Sequence, residues 1–229
     1  MCFSPEASFA GGIVISSIGV AVVRKAKKVQ KPSQIVFAGI PLFFGVQQIA
    51  EGFVWLALSD PEYARLQNIG TYLFLFMARV LWPMLMPLSV LLMEEDHKRK
   101  NIMWVFFAMG SSVSLYYSYC LLFLNVTPNI ASHHIQYISD FPESLAVPVF
   151  IIYFIASLTP LFISSTKRAY LLGVLLFLSA VVTEIYFFQY LTSVWCFFAA
   201  VISGVIFWIL GEPIQNSSSE TVQVEMGLK

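Results

Sequence analysis

M-C-F-S-P-E-A-S-F-A-G-G-I-V-I-S-S-I-G-V-A-V-V-R-K-A-K-K, residues 1–28, decides how the rest of the chain is read. An apolar run this near the start is either a secretory signal or the first span of a membrane protein. A signal peptide carries its positive charge before the apolar core and a small-residue cleavage site after it. Here Glu6 is the only charge before the run, and Arg24, Lys25, Lys27, Lys28 and Lys31 follow it. No A-x-A pattern intervenes. The reversed charge order predicts that the segment is retained with its N-terminus outside. Ser4 is placed to cap the helix, with Pro5 at its first position and Glu6 in its first turn.

Composition extends this reading to the whole chain. Of 229 residues, 58% are hydrophobic and 11% charged, with 21 Phe and a mean hydropathy of +0.77. A soluble domain needs about 25% charged residues to cover its surface. Most of this surface therefore faces lipid, and the lipid bilayer is the expected partner. The zero net charge gives no sign of nucleic-acid binding. Three Cys are too few for a disulfide scaffold.

Apolar stretches of about 20 residues recur between polar punctuation. The fold class expected is all-α: a polytopic bundle of seven transmembrane helices, 7–23, 34–58, 69–93, 101–124, 145–163, 169–189 and 192–210. Residues 211–229 read as a disordered cytoplasmic tail. Basic residues fall in the loops after the first, third and fifth spans: Arg24 to Lys31, then Lys98, Arg99 and Lys100, then Lys167 and Arg168. Lys229 joins them on that side, and Arg65 alone stands on the other. The C-terminus is therefore expected in the cytoplasm. Tyr and Trp near span ends fit interfacial belts, and mid-span Trp82 does not. W-P-M-L-M-P, 82–87, predicts a kink in the third span.

Ionisable groups inside spans are costly and point to sites. Glu51 in the second span, Arg79 in the third and Glu184 in the sixth stand out, with Arg79 expected to reach Glu51 or Glu184. Gln47 and Gln48 flank Glu51 on one helical face. Gly45 and Gly52, on a neighbouring stripe, allow another helix to approach. These five polar residues form a candidate ligand site in the outer half of the bundle, and a structural set of ion pairs and amide bonds explains them equally well.

His97 lies in the basic-side loop E-E-D-H-K-R-K and is expected to be solvated. His133 and His134 occupy the longest outer loop, 125–144. Cys2, Cys120 and Cys196 all fall at the outer level. They are buried hydrophobes, a Cys2–Cys196 disulfide, or thiolate ligands. Cys2, Glu51, His134 and Cys196 make a chemically sensible set for zinc or another transition-metal ion, without a spacing motif to support it. If the initiator Met is removed, Cys2 offers an amine and a thiol together.

Several activities are excluded. Without Lys in a span there is no retinal Schiff base, and without His in a span there is no bis-His haem between helices. H-E-x-x-H and phosphate-binding loops are absent, and V-I-S-G at 201–204 is not an intramembrane serine-protease motif.

M-C-F-S-x-x-A-S-F at 1–9, G-V-Q-Q-x-x-E-G-x-V-W at 45–55 and T-S-V-W-C at 192–196 resemble a family of uncharacterised bacterial integral membrane proteins with the same opening. The resemblance spans nearly the whole chain and implies a multi-pass protein of a bacterial inner membrane, with Cys2, Glu51, His134, Trp195 and Cys196 as family features. It brings no activity. Three functions stay open: a transporter or sensor binding a small ligand or metal ion, a metal-dependent membrane enzyme using Cys2, Cys196, His134 and Glu51, and a structural or assembly protein.

Overall fold

Ser4 begins the first helix, its Oγ accepting from the Ala7 amide at 3.2 Å. This satisfies one of the donors that a helix N-terminus leaves open. The computed structural model describes residues 4–28, 32–131, 134–166, 168–187 and 201–208; the side chains at 28 and 183–187 lie outside the description. Helix α1, Pro5–Lys28, is followed by α2, Ile35–Ser59. The two pack antiparallel at very close range. A Cβ on Gly45 would collide with Ser16, one on Gly12 would stand 2.7 Å from Ile49, and Gly52 lies under the Phe9 ring. Small residues at an interface bring backbones close enough for dispersion to hold helices together in lipid, where the hydrophobic effect between them is absent.

The third apolar segment is one continuous helical rod, Leu66–Met93, with a change of winding inside it. It runs as α3, Leu66–Leu75, then a π-helical turn, Phe76–Leu81, then α4, Trp82–Met93. The prolines supply the cause. Pro83 and Pro87 have no N–H, so the carbonyls of Arg79 and Pro83 lose their regular helical partners. The Trp82 amide instead donates to Met77 O, one residue beyond the α-helical partner. Neighbouring helices take up other carbonyls: Ser114 Oγ donates to Val80 O at 2.6 Å and Tyr153 Oη to Ala78 O at 3.0 Å. Pro83 O sits against Gly110, where any Cβ would overlap it. Freed backbone groups inside a membrane span have to be covered by protein, and the carbonyls of Ala78 and Val80 are. W-P-M-L-M-P thus reshapes the rod through a π-turn just before it.

Helix α5, His97–Phe123, is capped by Asp96, whose carboxylate accepts from the Arg99 amide at 2.9 Å. Helices α6, Glu143–Ile163, and α7, Ala169–Phe187, follow, and residues 201–208 are helical. The main core joins α1, α2, α4, α5, α6, α7 and residues 201–208 around Phe37, Leu91, Met103, Leu161, Leu172 and Ile206. Among the described residues, five helices are long and apolar enough to cross a membrane: Pro5–Lys27, Pro32–Ser59, Leu66–Met93, His97–Phe123 and Glu143–Ile163. The apolar stretch of α7, Ala169–Val182, is shorter among the described residues. The expected end of the sixth span, the start and end of the seventh, and the tail 211–229 lie outside the described residues.

The all-α character expected from the sequence holds, and the described residues add one element to it. The segment expected as a loop over 125–144 holds an antiparallel hairpin of β1, Val126–Ala131, and β2, His134–Ser139, paired from Val126↔Ser139 to Ala131↔His134. Six-residue strands give little periodic signal, and Pro128 within β1 argues against a strand. Pro128 is tolerated because a two-stranded ribbon leaves each strand an unpaired edge. The hairpin docks on the ends of α2 and α3: Ile135 packs with Val54 and Trp55, and Tyr137 stacks on Phe74 at 5.1 Å.

Candidate functional site

Gln48, Glu51 and Trp55 lie three and four residues apart on α2, so they share one face. That face is turned inward: Gln48 and Glu51 are fully buried and Trp55 is 5% exposed. Gln48 Nε2 donates to Glu51 Oε2 at 3.1 Å. From α3, Gly70 packs on Ala50 and Val54 of the same turn of α2, and the adjoining Thr71 is 1% exposed. Hairpin residues Ile135 and Tyr137 close over this region, and His134 is buried beside them in sequence. Among the described residues, Gln48 Oε1, Trp55 Nε1 and Thr71 Oγ1 are buried without a hydrogen-bond partner. That leaves one acceptor, one indole donor and one hydroxyl around the turn that carries Glu51.

Gln47 belongs to a different contact. Its Oε1 accepts from Trp82 Nε1 at 2.5 Å, and the Trp82 indole stacks on Phe44 at 4.1 Å. The mid-span Trp that fits no interfacial belt therefore ties α4 to α2. Arg79 does not reach Glu51. Its guanidinium carbon stands 5.4 Å from the Tyr117 ring and 5.1 Å from the Phe141 ring, and no ion pair of Arg79 occurs among the described residues. The π-turn presents Arg79 toward α5 and the segment after the hairpin, away from the face that packs on α2. Glu184 lies within α7, and its side chain is outside the description.

The proposed metal set is only half placed. Glu51 and His134 are both buried at the hairpin end, while Cys2 and Cys196 lie outside the described residues, as does His133. Among the described residues, no group of three or more His, Cys, Asp or Glu could hold a metal ion. Cys120 is a buried free thiol of α5.

A family model described as a family of unknown function (DUF6629) matches residues 1–220. The chain belongs to that family. No curated protein and no solved structure matches it.

Among the described residues, the chain also holds a second buried carboxylate, at the opposite end of the bundle. Glu94, 2% exposed, closes α4 and accepts from the Ser165 amide at 2.8 Å, the Ser165 hydroxyl at 2.5 Å and the Asp96 amide at 3.1 Å. Arg99 Nη1 adds a bond to Ile163 O at 2.8 Å. Together these staple the α4–α5 connection to the α6–α7 connection. Burial alone would raise the Glu94 carboxyl, but the Ser165 and Asp96 donors outweigh it and hold the group below its ordinary value. Sequence reading passed over Glu94 because E-E-D-H-K-R-K has the composition of a solvated turn. His97 in that run is exposed.

Proposed function

We propose that this is a seven-span membrane protein, N-terminus outside and C-terminus cytoplasmic, whose outer half binds a small polar ligand or ion beside Glu51, as a transporter or sensor does. One observation carries the binding reading: three buried polar atoms without partners among the described residues stand around a fully buried carboxylate. An unsatisfied buried group costs about 1–3 kcal/mol. Three of them weigh heavily against a total stability of about 5–15 kcal/mol. Helix–helix glue would pair such groups; a site leaves them for its ligand. Gln48, Glu51, Trp55 and Thr71 are the residues that line it.

The topology has support from the basic end. Lys25 lies 4.9 Å from the Phe207 ring and Arg168 lies 4.2 Å from the Trp208 ring. The end of the last apolar segment thus meets the same basic loops as the end of α1 and the start of α7, which suits a seventh crossing and a positive-inside orientation.

The test is thermal unfolding of the purified full chain in detergent with sodium, magnesium, manganese, zinc and ethanolamine as probes. Zinc is included for Glu51 and His134. At least one probe should raise the unfolding midpoint of the wild type, and Glu51→Gln should abolish that rise. A wild type indifferent to every probe, with Glu51→Gln altering stability alone, would overturn the binding reading in favour of a structural role. Metal analysis of the purified protein separates the enzyme alternative: sub-stoichiometric content of every transition metal removes it.

A further inference from the structure

Arg79 occupies a position the Glu51 site does not explain. It lies in the π-turn of a membrane-crossing rod, half-buried, and its described interactions are with aromatic rings. The Tyr117 and Phe141 ring centroids are 6.2 Å apart, little more than either stands from the guanidinium carbon. Rings sandwiching the group from opposite faces would stand much farther apart. Both therefore lie to one side of it, and the rest of its rim of N–H donors is left without an acceptor among the described residues.

The magnitudes favour a missing partner. An Arg within a span costs about 2.5–3.5 kcal/mol on insertion scales. A cation–π contact returns about 0.5–1 kcal/mol when exposed and about 2 when desolvated. Two rings on one side offset much of the cost, but rings accept no conventional hydrogen bond from a group with five donors in a planar fork. The complement to that fork is a carboxylate or phosphate oxygen pair. Arg79 leans toward the hairpin end. A helical side chain leans toward its N-terminus, which for this rod is the Leu66 end. Phe141, in the segment joining the hairpin to α6, marks how far Arg79 extends in that direction.

We propose that Arg79, backed by Tyr117 and Phe141, is the receptor for one oxyanionic group, a phosphate or carboxylate that enters from the hairpin end. This is independent of the ligand at Glu51. The same chemistry can come from a phospholipid headgroup or from a free anion, and the experiment separates them. Full-length protein in a neutral, phosphate-free detergent is unfolded thermally with inorganic phosphate, with acetate, or with short-chain phosphatidylglycerol in mixed micelles, against a neutral glycolipid control.

A midpoint raised by phosphate or acetate identifies a free anion. One raised by phosphatidylglycerol, with neither soluble anion active, identifies a headgroup. In either case Arg79→Gln should abolish the response, and Glu51→Gln should leave it in place. Where Arg79→Gln yields no folded protein, Arg79→Lys keeps the charge, removes the fork and should weaken the apparent affinity about tenfold. No response to any of the three anionic probes, or a response unchanged in Arg79→Lys, overturns the proposal.

Discussion

Glu51 and Glu94 are both buried carboxylates at opposite ends of the same bundle, and their surroundings differ. Glu94 takes three hydrogen bonds from two residues in two connections, each donor within 3.1 Å. Glu51 accepts a bond from its own helix neighbour Gln48, in a region where, among the described residues, an indole, a hydroxyl and an amide oxygen stand unpartnered. A carboxylate that is fully met by donors spends its charge on holding loops together. One set among unmet polar groups fits the binding reading proposed above. The contrast separates structure from site more sharply than burial does, since both groups are almost wholly hidden.

The largest effect is expected from removing the staple. Glu94→Ala deletes three charge-assisted bonds and strands the Ser165 amide, so it should destabilise the protein by about 2–4 kcal/mol, read by thermal or denaturant unfolding in detergent. The pH dependence follows from the depressed carboxyl. A group whose folded pKa lies below its unfolded one, about 4.3, contributes its full stability above the unfolded value and loses it as pH falls through the folded one. The wild type should therefore lose stability below about pH 4.3, and Glu94→Ala should lose less over the same range. Equal acid sensitivity in both would show that Glu94 is not the staple described.

The opposite sign is expected at the other end. Thr71→Val keeps the shape of the side chain and removes a buried hydroxyl that has no described partner. It should leave stability unchanged or raise it by about 1 kcal/mol, while weakening the response to whichever probe acts through Glu51. A loss of stability above about 1 kcal/mol would mean that the hydroxyl is bonded in the native protein, and the contrast between the two carboxylates would narrow.

The uneven legibility of the sequence has the same physical origin. Long apolar helices announce themselves by length, and the Ser4 cap and the two prolines of 82–87 act over a few residues, so each could be read locally. The inward turn of Gln48 and Glu51 was legible because charge in a span has few other places to go. What could not be read depends on which helices become neighbours. Depth alone directs Arg79 to Glu51 or Glu184; the π-turn carries it round to Tyr117 and Phe141, and the Glu184 side chain lies outside the described residues. Glu94 was hidden by its composition, since nothing within E-E-D-H-K-R-K reveals that Ser165, 71 residues away, will meet it. The hairpin escaped because its stability comes from docking on Trp55 and Phe74 and not from its own pattern.

The smallest effect tests where the site ends. Gln47 neighbours Gln48 in sequence and looks equally suited to a ligand, yet its Oε1 is taken by the Trp82 indole across the α2–α4 contact. Trp82→Phe removes that donor and retains an aromatic ring against Phe44. An interhelical hydrogen bond of this kind is worth about 0.6 kcal/mol on average, so the midpoint should fall by only a degree or two in a chain of this length. If Gln47 is frame, the probe response seen through Glu51 should be unchanged in the variant. If the response changes, the freed amide has joined the ligand set, and the boundary between frame and site moves one residue along α2.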